Sequence, residues 1–191
     1  MPASPSSEFS AEHRARLLAH ARDSIRHGLD HGGPQAHPQT DADDALRTVR
    51  ASFVTLKIGG ALRGCIGSIE ARAPLIEDVG HNAWAAAFRD PRFAPLRAAE
   101  FDALEVHISV LTPLSPIVAD TEAALLATLR PGIDGVLLQQ GSWRSTFLPQ
   151  VWEQLPEPAD FLRQLRRKAG LPEQHDPRAA YFRYGVEAFG G

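Results

Sequence analysis

Apolar residues recur at helical spacing in three stretches of the chain. Leu17, Leu18, Ala21, Ile25 and Leu29 fall on one stripe, with Ser10 placed to cap the helix and Glu12 in its first turn. Leu75, Ile76, Val79, Ala83, Ala86 and Ala87 form the apolar face of a second helix over residues 75–88. Its alanines allow close approach to a sheet, and Pro91 stops it. Phe161, Leu162, Leu165 and Ala169 face inward on a third, opened by Pro158 and closed by Gly170. A short helix over residues 121–129 is capped by Asp120. Residues 1–9 read as a frayed tail, and residues 30–44 as a polar loop.

Between the helices the period drops to two. Residues 53–58 and 61–67 flank Gly59-Gly60 and predict a hairpin. A two-residue turn sets Ile58 opposite Ala61, Leu56 opposite Arg63 and Val54 opposite Cys65, so Arg63 and Cys65 project from one face. Gly64 and Gly67 mark a bulge or a close approach by backbone or ligand. Residues 104–110 alternate as a strand, with Glu105, His107 and Ser109 on its polar face. A second hairpin runs from residue 135 to 148 around Gln140-Gly141, and residues 181–189 form a closing strand. An offset of 81 residues brings Gly60 onto Gly141, Arg63 onto Arg144 and Cys65 onto Thr146. Either an internal duplication or shared hairpin grammar produces such a match. Antiparallel hairpins mixed with helices, without regular βαβ alternation, predict an α+β fold.

Composition narrows the partners. The 191 residues are 43% hydrophobic and 23% charged, enough for one domain-sized core, and the net charge of −3 supplies no basic field for nucleic acid. Lysine occurs only at positions 57 and 168, and Cys65 is the sole cysteine, which excludes an internal disulfide and a thiolate-rich metal centre. No secretory leader pattern opens the chain and no apolar run is long enough to span a bilayer. The expectation is a soluble cytoplasmic protein that binds neither nucleic acid nor membrane.

The candidate chemistry gathers on Leu62-Arg63-Gly64-Cys65-Ile66-Gly67. A thiol becomes nucleophilic beside cations or a base, and Arg63 stands two residues away, but a lone cysteine also serves as an inert small hydrophobe. Arg63 needs an anionic partner: a ligand, or a protein carboxylate such as Asp90 or Glu105. Asp90 and Arg92 suit either a loop-pinning pair or two solvated charges. His13, His20 and His27 lie seven apart, too far along a helix for chelation, and read as a solvated flank. Asp41, Asp43 and Asp44 lack the rest of a calcium loop and read as a connector. Arg163, Arg166, Arg167 and Lys168 read as a solvated face at a helix end. Asp134 reads as a turn residue and Trp152 as a core anchor. The sequence holds no phosphate-binding glycine loop and no zinc motif, so no cofactor of its own is expected.

That hexapeptide resembles the signature of the AMMECR domain family, known in prokaryotes as AmmeMemoRadiSam system protein A. Asp90-Pro91-Arg92-Phe93, Ile108-Ser109-Val110-Leu111, Gly132-Ile133-Asp134-Gly135-Val136, Thr146-Phe147-Leu148-Pro149-Gln150-Val151-Trp152 and Lys168-Ala169-Gly170-Leu171 resemble further family blocks in family order. The resemblance covers roughly residues 10–190 as one domain. It implies an antiparallel sheet, helices packed on it, and two lobes with a cleft. It also implies work alongside a Memo-like protein and a radical SAM protein, to which any iron or iron–sulfur cluster would belong. Cys65 and Arg63 are then the candidate catalytic residues, and Gly64, Gly67, Asn82, Asp90, Arg92, Ser109 and Gln150 the candidate binding residues. The alternative is a non-catalytic module that binds or scaffolds the same partners.

Overall fold

The structure is a computed structural model that describes residues 8–35, 43–174 and 176–191. The connector carboxylate Asp41 lies outside them. The described chain is a mixture of helices and antiparallel strands in two four-stranded sheets, the α+β class expected. It divides into two compact units, Met1–Leu111 with Glu187–Gly191, and Thr112–Val186.

In the first unit, helix α1 (Ala11–His31) starts where Ser10 Oγ accepts the His13 N–H and ends at Gly32, whose φ of 77° suits a residue without a Cβ. A short helix, α2 (Asp44–Arg47), precedes β1 (Ser52–Ile58) and β2 (Ala61–Gly67). Helix α3 (Leu75–Phe88) and strand β3 (Leu104–Leu111) follow, and the sheet order is β2-β1-β3-β8, with β8 (Val186–Gly190) returning from the end of the chain. Leu17, Ala21, Ile25, Val79, Ala83 and Ala86 of the helices pack on Val54, Leu56, Val106 and Ile108 of the strands. By alternation, Thr55, Cys65 and His107 take the opposite face.

The second unit carries β4 (Ser115–Ile117), α4 (Glu122–Thr128), β5 (Gly135–Gln140), β6 (Trp143–Phe147), α5 (Pro158–Lys168) and β7 (Ala180–Tyr184), in the sheet order β4-β7-β5-β6. Trp152 is its anchor, stacked on Phe161 with ring centroids 3.8 Å apart and donating its Nε1–H to Asp134 O at 2.7 Å. Asp134, 1% exposed, locks its turn by taking the Arg130 guanidinium at 2.6 Å.

The two sheets share one plan. Each sets a hairpin, a helix and a third strand in sequence, and each takes its fourth strand from the chain that leaves the other unit's third strand. Hence the expected closing strand breaks at Gly185 into β7 and β8, which belong to different sheets. Three local expectations are corrected. Thr121, not Asp120, caps α4 through its hydroxyl. The second turn is Gly141-Ser142, because Gln140 pairs with Trp143. Arg166 does not belong to a solvated face: it is 3% exposed and bonds Glu122 and Tyr181.

Candidate functional site

The signature strand β2 is a sheet edge, and its register carries a bulge. Leu56 pairs with Gly64 and Lys57 with Leu62, which leaves Arg63 as the extra residue. The expected pairings of Leu56 with Arg63 and Val54 with Cys65 are therefore replaced, and Thr55 faces Cys65. The same bulge corrects the comparison of the hairpins: Cys65 and Thr146 hold equivalent ladder positions, but Arg63 has no counterpart.

Arg63 finds its anion inside the protein. Its Nε donates to Glu100 Oε1 at 2.9 Å and its Nη2 to Glu100 Oε2 at 3.3 Å and Ala94 O at 3.0 Å. The partner is neither Asp90 nor Glu105, the two carboxylates the sequence offered. The Arg63 guanidinium, helped by the Arg97 N–H, holds the Glu100 carboxyl down to about 2. Arg63 Nη1 is buried without a hydrogen-bond partner.

Asp90 and Arg92 form the pinning pair, and what they pin is Cys65. Asp90 Oδ2 accepts the Cys65 N–H at 2.9 Å, and Arg92 Nη2 donates to Cys65 O at 3.4 Å. Arg92 Nε and Nη2 also reach the two Asp90 oxygens at 2.9 and 2.7 Å. The pair takes the place of a further strand along this stretch of the edge. Asp90 is 4% exposed, and the Arg92 and Cys65 donors hold its carboxyl well below the usual carboxylate range.

The glycines are explained by protein packing. A Cβ on Gly64 would stand 2.1 Å from Ala86 O of α3, and one on Gly67 would stand 2.5 Å from the Phe53 ring. Asn82 is buried, and its amide donates to Ser52 O, Ser52 Oγ and Asp78 Oδ2, so it fixes the start of β1 from the core side. Burial pushes the Asp78 carboxyl up, against hydrogen bonds from Ser52. Gln150 is exposed on a 3₁₀ turn of the second unit.

What remains is a row on the sheet face away from the helices. Cys65, Thr55 and His107 are neighbours across β2, β1 and β3, and Gly67, Phe53 and Ser109 form the next row. The half-buried Cys65 Sγ lies 3.1 Å from Thr55 Oγ1. His107 Nε2 is 3.9 Å from Glu105, beyond hydrogen-bond reach, and is buried without a hydrogen-bond partner. Glu105 instead accepts the Gly60 N–H at 3.1 Å and secures the hairpin turn. Sequence reasoning missed Glu100 and Thr55. A hydroxyl one register step from the bulge was the available signal for Thr55; Glu100 had none, because it arrives from a separate 3₁₀ segment (Ala98–Ala103). At the equivalent position of the second unit, Thr146 Oγ1 is satisfied by Tyr184 OH at 2.6 Å and Val136 O at 2.9 Å. Burial pushes the Tyr184 hydroxyl up to about 12. Among the described residues, no three His, Cys, Asp or Glu side chains converge to hold a metal ion, and no helix is long and apolar enough to cross a membrane.

A helix-backed antiparallel sheet with a clamped Leu-Arg-Gly-Cys-Ile-Gly edge strand defines the class. The AMMECR1 family profile matches residues 18–189. The chain belongs to the AMMECR1 family. A protein from Methanothermobacter thermautotrophicus is 36% identical over 184 residues, covering 95% of each chain. One from Thermotoga maritima is 36% identical over 160 residues, 82% of this chain and 87% of that one. The uncharacterised protein PH0010 from Pyrococcus horikoshii has a similar crystal structure, with a TM-score of 0.86 at 31% identity over 96% of this chain and 94% of that one.

Proposed function

We propose that this chain is one component of a cytoplasmic set with a Memo-like protein and a radical SAM protein, and that Cys65 is the side chain it brings to their shared reaction. One observation carries this reading. The charged groups around the signature are paired within the protein, Arg63 with Glu100 and Asp90 with Arg92, whereas the thiol of the half-buried Cys65 has one hydrogen-bond contact, the neutral Thr55 hydroxyl, with the Arg92 guanidinium close enough to interact with it electrostatically. A clamp on both backbone groups of one residue gives its side chain a fixed direction, as a reacting or docking group requires. The buried Arg63 Nη1 supports a lesser role for Arg63 as a donor to a bound group.

Reconstitution of the three components tests the reading. Cys65→Ser is expected to abolish their joint turnover of S-adenosylmethionine while the variant stays folded. Turnover equal to the unaltered chain would remove Cys65 from the chemistry.

The second reading is a non-catalytic module that presents the same face to its partners. It is favoured by the thiol's lack of a hydrogen-bonded base, since Thr55 cannot serve as one at neutral pH. Under this reading the Cys65→Ser chain retains both the complex and full turnover, and pull-down with each partner measures the first.

A further inference from the structure

The outer edge of the second sheet lacks a group that the first sheet supplies to itself. Strand β6 is a sheet edge, as β2 is. Its turn closes on Gln140 and Trp143, so Trp143, Ser145 and Phe147 direct their peptide groups to β5, and Thr146 directs its N–H and C=O outward. Cys65 does the same at the equivalent position of β2. There the outward groups are both covered. The Asp90 carboxylate accepts the N–H at 2.9 Å, and the Arg92 guanidinium, paired with that carboxylate, donates to the C=O at 3.4 Å.

At Thr146 only half of this cover exists. Lys168 Nζ donates to Thr146 O at 3.0 Å, in the role of Arg92, and lies 5.0 Å from the centre of the Phe147 ring. The offset of 81 residues, which also aligns the ends of α3 and α5 to within one residue, carries Asp90 onto Leu171, a side chain with no carboxylate. Among the described residues, no carboxylate pairs with Lys168 and no side chain accepts the Thr146 N–H. Desolvation pushes the Lys168 ammonium down from its ordinary range, with no anion to offset it.

We propose that the Thr146 N–H and Lys168 Nζ form a carboxylate-binding site on the β6 edge, which takes from outside the chain the group that Asp90 supplies at β2. A carboxylate bridging the two accepts one hydrogen bond from the peptide and one from the ammonium, both charge-assisted. Its source is a free carboxylic acid or the acidic side chain of an extended segment laid along the edge. The site is independent of the function proposed for Cys65.

The test follows the Thr146 amide of the full chain by proton–nitrogen NMR at constant ionic strength. The probes are sodium acetate and two blocked tripeptides, acetyl-Val-Glu-Val-amide and acetyl-Val-Gln-Val-amide. The amide is expected to shift saturably with a carboxylate probe, with at least tenfold weaker binding in Lys168→Gln, binding retained in Lys168→Arg, and no change in Lys57→Gln. Saturation by acetate assigns a free acid, and saturation by the glutamate peptide without acetate assigns an acidic side chain. No saturable shift with either carboxylate probe, an equal response to the glutamine peptide, or a response undiminished in Lys168→Gln would overturn the proposal.

Discussion

At Cys65 the peptide group and the side chain have different hydrogen-bond partners. Asp90 and Arg92 hold the backbone, and Thr55 meets the sulfur. Arg63, next but one along the strand, is committed to Glu100. Arg63→Ala should therefore act as a packing and pairing lesion: it leaves the Glu100 carboxylate without its main donor and should cost about 1–3 kcal/mol in urea unfolding. Acid should remove the same contribution. Glu100 is held near 2 in the folded chain, below its ordinary range, so its stabilisation is present above about pH 4.3 and is lost as pH falls toward 2. Asp90 is depressed and acts in the same direction, whereas Asp78 is raised and opposes them. Urea midpoints measured at pH 7 and pH 3 check this: the acid loss should be smaller in Glu100→Gln than in the unaltered chain.

Strand and helix meet most closely at Gly64. Its missing side chain lets the backbone of β2 lie against Ala86 O of α3. Gly64→Ala should lower stability by about 1–3 kcal/mol, because the nearest atom is helix backbone and cannot swing aside; thermal unfolding measures it. The elements themselves were legible in the sequence. The stripe from Leu17 to Leu29, the alternation from Leu104 to Val110 and the Gly59-Gly60 turn all lie where periodicity put them. Register was not legible. A bulge is one residue deep, and it depends on Arg63 meeting Glu100, a pairing of residues 37 positions apart. The break at Gly185 escaped for the same reason, since the two sheets it serves are defined by partners far along the chain. Of the candidate residues, the Asp90–Arg92 pair could be read from spacing. The internal duties of Asn82, Gly64 and Gly67 could not, because burial against Ser52, Ala86 and Phe53 is a tertiary fact.

For the molecule as a whole, the exchange of fourth strands ties the chain's end to its beginning. β8 joins the first sheet, and Glu187 within it accepts the Arg14 guanidinium at 2.9 Å and the Glu8 N–H at 2.8 Å. Deleting residues 186–191 should therefore loosen the first unit, although the cut follows the second. Hydrogen exchange should show faster amides in β3 and in the first turns of α1, with β5 and β6 little changed. The recurrence of hairpin, helix and third strand, with Cys65 and Thr146 in matching places, gives the two halves one plan and different contents. Both residues are half-buried, but Thr146 Oγ1 is hydrogen-bonded to Tyr184 and Val136, whereas Cys65 Sγ meets only the Thr55 hydroxyl as a hydrogen-bond contact.

Alkylation tests that difference most directly, because the chain has one cysteine. A small electrophile such as iodoacetamide should modify Cys65 in the native protein without unfolding it, at a rate independent of urea well below the midpoint, and, under the proposed function, the Memo-like and radical SAM proteins should slow it. Modification that proceeds only at the rate of global unfolding, with no protection by either partner, would contradict the assignment of this thiol as the working group of the chain.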